Sequence, residues 1–386
     1  MKKKILLVQL SLNGDCLIVT TLARQIKHDY PGCLLTWAIS AKCKQVIENN
    51  PFIDNVWEVN YNANEPFENV WEKLKREINI KMKNGDFDKV YYTQIYPDNM
   101  LNFDGTTRSS TFRAYPKKIT VPVNPTIKLY DVEIKRVKDF AITYNLHQYN
   151  HVVLMECAPS SGQSFFNIET AIKIAEQIVD YRKDIIVIIS SHLKLNLQHN
   201  RIIDASELTY RENAELSKYC TLLIGCSSGI TWLLSSDWAK KIPTIQFLRK
   251  DAIGFQFASV KYDFDYWGLN TSDIIESSQQ NPETAAKIII DAIDNFDSAK
   301  SLYHEEFKPK LESLKVFVKR YFSFKYFIKT IRMIFNFISR NDNKFYNFSS
   351  ITIFIGRLLF QKIKNRLRNT NFQFSKCIIL SYLISF

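Results

Sequence analysis

Ile5-Leu6-Leu7-Val8-Gln9-Leu10-Ser11-Leu12-Asn13-Gly14-Asp15 runs straight into Ile18, Leu22 and Ile26, which stand at helical spacing. A short apolar run, a polar loop and an amphipathic periodicity, in that order, spell strand, turn and helix. Met1-Lys2-Lys3-Lys4 is basic, but the apolar run behind it is short and contains Gln9, so it reads as a first strand rather than the core of a secretion signal. No uncharged apolar stretch reaches the roughly 18 to 20 residues needed to span a bilayer, and a cytoplasmic protein is expected.

Working outward, the same alternation recurs. Strands are expected at 34–40, 56–59 and 89–95, with helices at 17–30 and 67–82. Residues 97–125 look irregular, and 127–146 reads as a helix. A second cycle starts at His151, with strands at 152–157, 184–190, 202–203, 222–225 and 242–247 and helices at 167–181, 209–219, 230–234 and 282–296. Strand–helix alternation implies parallel sheets with right-handed crossovers. The expectation is an α/β protein with two Rossmann-like domains facing a cleft, an N-terminal one over 1–147 and a C-terminal one over 148–300, followed by a tail over 301–386. In such sheets ligands bind beyond the carboxyl ends of the strands.

Three strand-to-helix loops therefore carry the candidate chemistry. In the first, Asn13 and Gly14 precede Asp15, which stands at the helix start. A carboxylate there suits a general base toward a hydroxyl, and the plainer reading is a helix cap. The second, Ala158-Pro159-Ser160-Ser161-Gly162-Gln163-Ser164, joins small hydroxyl residues to a helix N-terminus that can hold a diphosphate. The third, Gly225-Cys226-Ser227-Ser228-Gly229, has the same character, and its alternative is a tight turn with a serine cap. Neither the dinucleotide fingerprint nor the P-loop pattern occurs. His192 follows a strand on the same edge; it reads as a surface loop residue or, with its neighbours Ser190, Ser191 and Lys194 in reach of a ribose or phosphate, as part of the donor side. The seven cysteines form no CxxC pair, so neither a metal site nor a cofactor is expected.

These residues resemble glycosyltransferase family 9, the heptosyltransferase-like enzymes of bacterial surface polysaccharide assembly. Ile5 to Asp15 is similar to the family's first strand and its S-x-G-D loop. Thr21-Leu22-Ala23, Tyr30-Pro31 and Asn50-Pro51-Phe52-Ile53-Asp54-Asn55-Val56 resemble the segments that follow. Residues 225–233 resemble the family's G-N-D-[ST]-G-x-x-H-L segment, with Cys226, Ser227 and Trp232 replacing Asn, Asp and His, and with Ser228 and Gly229 kept. Ser160 matches a donor-binding threonine, and Ser164 falls where the family has a lysine.

The resemblance covers residues 4–300. It implies a glycosyltransferase B fold, Asp15 as base, a nucleotide-sugar donor bound mainly by the second domain, metal-independent transfer and inversion at the anomeric carbon. Together with the loop readings above, the donor-side candidates are Ser160, Ser161, Ser164, His192, Ser227, Ser228 and Gly229. The replacements remove a cation and an anion/imidazole pair from the donor side, which points away from ADP-heptose toward another nucleotide sugar, or toward a non-catalytic assembly or binding subunit. A sugar-nucleotide epimerase shares this architecture but needs neither acceptor nor membrane tail.

The tail holds 16 of the 51 Lys and Arg, only 4 of the 39 Asp and Glu, and 14 of the 27 Phe. It thus carries the whole net charge of +12. Read as one helix over 315–340, it puts Lys315, Lys319, Lys325, Lys329, Arg332 and Arg340 on one side. Phe324, Phe327, Ile331, Ile334, Phe335 and Ile338 fall on the other. Residues 351–368 repeat the pattern. Such a basic amphipathic segment lies on an anionic membrane surface; the alternative is that its apolar stripes pack on the globular body or on a second subunit. The expected partners are a nucleotide-sugar donor, a lipid-linked saccharide acceptor and the inner face of the cytoplasmic membrane through 315–368. With a neutral globular part and no RNA-binding motif, no nucleic acid is expected.

Overall fold

Strands buried on both faces read as continuous apolar runs, and the runs above become two all-parallel sheets in a computed structural model. It describes residues 2–62, 64–157, 162–321, 326–340 and 344–369. The chain divides into two units, Met1–Pro309 and Lys310–Phe386.

In the first unit, β1 (Lys4–Val8), β2 (Leu34–Ser40), β3 (Asn55–Val59) and β4 (Lys89–Tyr92) form a sheet in the order β3-β2-β1-β4. Alternation along β1 decides its packing. Ile5 and Leu7 join the apolar cluster containing α1 (Asn13–Asp29), while Leu6 and Val8 pack with Val70, Trp71 and Leu74 of α2 (Phe67–Lys83). The irregular stretch contains the short α3 (Thr107–Phe112), capped by the Thr106 hydroxyl, which accepts from the Ser109 amide at 3.3 Å. α4 (Asp131–Thr143) starts later than the spacing predicts. Ile127 and Leu129 are drawn into the core as extended chain, and the Ile127 amide donates to Asp237 at 3.1 Å.

The second sheet has the order β10-β9-β8-β5-β6-β7. Its strands are β5 (His151–Glu156), β6 (Ile185–Ser190), β7 (Ile202–Asp204), β8 (Leu222–Gly225), β9 (Thr244–Phe247) and β10 (Ile274–Ser277). Between them run α5 (Ile168–Tyr181), α6 (Glu212–Leu216), α7 (Gly229–Leu234) and α8 (Val260–Trp267), and α9 (Pro282–Asp294) and α10 (Phe296–Tyr303) follow. The sequence pattern does not announce α8 or β10. Asn167 and Asn281 cap α5 and α9, each accepting from an N3 amide at 2.8 Å. One apolar cluster runs from Ile5 and Leu7 through α1 to Leu154 and Ile188 of the second sheet, so the two sheets share a core.

The second unit corrects the single helix expected over 315–340. It contains α11 (Leu311–Tyr321), α12 (Phe327–Arg340) and α13 (Lys344–Asn369). Leu314, Phe317 and Val318 of α11, Met333, Ile334, Phe337 and Ile338 of α12, and Ile351 and Leu358 of α13 are buried. Two of the six residues of the apolar face assigned to a membrane, Ile334 and Ile338, are thus consumed by helix packing, whereas Phe327 and Phe335 stay exposed. Phe324 and Lys325 lie outside the described residues. Among the described residues, no helix is long and apolar enough to cross a membrane.

Candidate functional site

The first loop is held from below by Gln94, at the end of β4. Its side-chain oxygen accepts from the Leu10 amide at 2.9 Å, the Ser11 amide at 3.2 Å and the Gln9 side chain at 3.2 Å. The left-handed turn falls on Leu12 (φ 71°), not on Gly14. A leucine in this region is strained, and such strain gathers at functional turns. Gly14 is required neither by a positive φ nor by crowding: a Cβ there would stand at an ordinary contact distance, 3.6 Å, from Cδ1 of Trp232, on α7. The helix start below the first sheet thus abuts the helix start below the second.

Leu12 is the N-cap of α1, so Asp15 lies inside the first turn and is not the cap. Asp15 is 9% exposed. Burial, aided by the nearby Cys43, pushes its pKa up to about 7. The Cys43 thiol, hydrogen-bonded by Cys16, is drawn down to about 7. A carboxyl poised near neutrality and shielded from water is suited to accept a proton.

The third loop is built differently from the sequence expectation. Glu156, buried at the end of β5, accepts from the Cys226 amide at 3.1 Å, the Ile230 amide at 2.7 Å and the Thr231 hydroxyl at 2.6 Å. Gln246 of β9 takes the Ser227 amide at 2.7 Å. Donors expected to meet a phosphate are therefore occupied by a carboxylate and an amide of the protein itself. Ser227 is fully buried in a left-handed conformation (φ 52°), and its hydroxyl lacks a partner. Ser228 and Gly229 are half-buried and form the accessible part of the turn. Tyr210 closes over them, donating to the Gly229 carbonyl at 2.9 Å. Trp232 donates to the Ser227 carbonyl at 3.2 Å, filling the place between the loops.

Ser160 and Ser161 lie outside the described residues. The Ser164 hydroxyl turns back to accept from the Phe166 amide at 3.1 Å. His192 stands exposed on the loop after β6. Asn13 is half-buried, and its side-chain oxygen has no partner. The structure therefore gathers Asn13, Gly14, Asp15 and the 227–229 turn. Among the described residues, no hydrogen bond ties Ser164 or His192 to them.

Sequence reasoning missed Gln94, Glu156 and Gln246. Their signal was present: each is a polar residue at or near the carboxyl end of an otherwise apolar strand. Gly225 is the keystone of this network. A Cβ there would meet Gln246 Nε2 at 2.3 Å and Thr231 Oγ1 at 2.4 Å, both already hydrogen-bonded. Gly225→Ala is expected to cost about 1–3 kcal/mol by overpacking, read as a lower midpoint in urea unfolding. An unchanged midpoint would show that the network yields freely.

No protein-family model matches the sequence, and no curated protein matches it. Solved structures align along the chain. A glycosyl transferase family 9 protein from Veillonella parvula DSM 2008 shares 13% identity, covering 78% of this chain and 94% of its own at a TM-score of 0.49. The E. coli ADP-heptose LPS heptosyltransferase II shares 11% identity over 77% and 100%, at a TM-score of 0.49. A putative UDP-N-acetylglucosamine 2-epimerase from Listeria monocytogenes shares 12% identity over 83% and 96%, at a TM-score of 0.47.

Proposed function

We propose that this chain transfers a sugar from a nucleotide-sugar donor to a hydroxyl of a lipid-linked or surface-polysaccharide acceptor, on the cytoplasmic side of the membrane, with Asp15 as general base. The observation that carries the reading is the Asp15 carboxyl, nine-tenths buried at the carboxyl edge of the first sheet and held at about 7. In the reaction the acceptor oxygen gives its proton to the Asp15 carboxylate and forms a bond to the anomeric carbon. The bond from that carbon to the diphosphate oxygen breaks, and a nucleoside diphosphate leaves with that electron pair. Attack opposite the leaving group inverts the anomeric carbon. The Ser228–Gly229 turn would face the diphosphate.

A base of this pKa makes a directional prediction. Transfer, or hydrolysis of the donor when acceptor is absent, rises tenfold per pH unit below about 7 and levels off above it. The measurement is product nucleotide released from a panel of nucleotide sugars across that range. A rate independent of pH, or one retained by Asp15→Asn, would rule the assignment out.

The Glu156 cap favours a second reading, a non-catalytic assembly or binding subunit. A carboxylate bound where phosphate is expected weakens that helix start as an anion site. Thermal unfolding with nucleoside diphosphates separates the two readings. A ligand at a hundred times its Kd adds about 2.7 kcal/mol of stability, whereas a non-binding subunit shifts with none of them.

A further inference from the structure

The three-helix unit leaves an apolar face uncovered after its own packing is complete. On α12, Ile328 is 74% exposed and Phe335 59%; on α13, Ile353 is 58% exposed and Phe348 49%. The Phe335 and Phe348 rings lie 6.4 Å apart, joining the strips of the two helices. Helical spacing sets Ile328 and Phe335 beside, not opposite, the packed residues Ile334 and Ile338. The helix is therefore apolar over more of its circumference than its neighbours cover.

Exposed Lys329, Arg332, Arg357 and Lys364 border the strips. Neither helix contains an Asp or Glu. We propose that this face lies in the headgroup region of an anionic bilayer, its side chains Ile328, Phe335, Phe348 and Ile353 entering the acyl boundary and its bases meeting lipid phosphates. Charge selects this occupant over a second copy of the chain, because two such faces would bring like charges together without a single acid to offset them. The face belongs to the second unit and rests on no part of the sugar-transfer reading. It also replaces the sequence-derived face, of which Ile334 and Ile338 are spent on packing.

The test is co-sedimentation of the full chain with phosphatidylcholine vesicles, with and without phosphatidylglycerol. Wild type is expected to bind the anionic vesicles and to be released by salt. Lys329→Gln with Arg332→Gln should weaken that binding about fivefold per base removed. Ile328→Ser with Phe335→Ser should weaken binding to both vesicle types while leaving thermal unfolding unchanged, since both positions are exposed. The proposal is overturned if wild type prefers neither vesicle, or if the apolar variant binds as wild type does. A solution dimer dissociated by the Ile328 and Phe335 changes, or RNA binding indifferent to them, would overturn it equally.

Discussion

Asp15→Asn should lose transfer and gain relative stability as the pH rises. In the folded chain the Asp15 carboxyl keeps its proton to about 7, against an ordinary value of 3.8. Below the lower value both folded and unfolded chains hold the proton, and the group is neutral toward folding. Between the two values folding takes up a proton, and above about 7 it forces a charge into a dry site. The stability associated with this group is thus full in acid and lost as pH rises through the folded value. The loss is on the order of 4 kcal/mol at the usual 1.36 kcal/mol per pKa unit. Asn carries no charge at any pH, although its amide adds a pH-independent cost of about 1–3 kcal/mol if left unpartnered. The readout is therefore the slope: the stability of the variant minus that of wild type grows from acid to pH 8 and is flat beyond. The same substitution removes the base and should lower the rate by about 10²–10⁴-fold. A variant equally pH-sensitive in stability would place the titrating group elsewhere.

Arg211→Met is expected to cost about 3–5 kcal/mol, the scale for stripping one partner from a buried ion pair. Arg211 is 1% exposed and reaches from the start of α6 across to the first half of the unit. It donates to both Glu133 carboxylate oxygens at 2.8 and 2.9 Å, to the Gln45 and Glu48 carbonyls at 3.0 and 2.6 Å, and to the Lys128 carbonyl at 2.7 Å. Methionine matches the stem but leaves these acceptors without donors. Lysine keeps the charge and cannot reproduce the planar fork, so Arg211→Lys should recover only part of the loss. Pairing Arg211→Met with Glu133→Gln should cost less than the sum of the two, because the buried charge left behind is removed as well. Additive costs in urea unfolding would mean that the pair is not coupled. Arg108 makes a second bond of this kind, paired with the buried Asp263 and stacked between Trp232 and Phe264 at 5.1 and 5.2 Å. These buried cations hold the two sheets as one body.

Much of this was legible in residue order. The apolar run at Ile5 to Leu10, the loop to Asp15 and the spacing of Ile18, Leu22 and Ile26 foretell β1, its turn and α1. Repetition of that pattern foretells two parallel sheets with their loops on the carboxyl edges. These are local properties, fixed by side-chain periodicity within a few residues. The excess of bases and aromatics after residue 301 is likewise a matter of composition. What only the tertiary structure decided is which partner each polar group found. Glu156 is separated by 70 residues from the Cys226 amide that it accepts, and no local pattern reports such a pairing. The ionisation of Asp15 depends on water excluded by elements packed around it: residue order leaves cap and base both open, and only the fold sets this carboxyl inside the first turn of α1 in a dry site. The tail's outward face was equally hidden, because periodicity reveals how wide an apolar stripe is, whereas packing determines which part of it stays exposed.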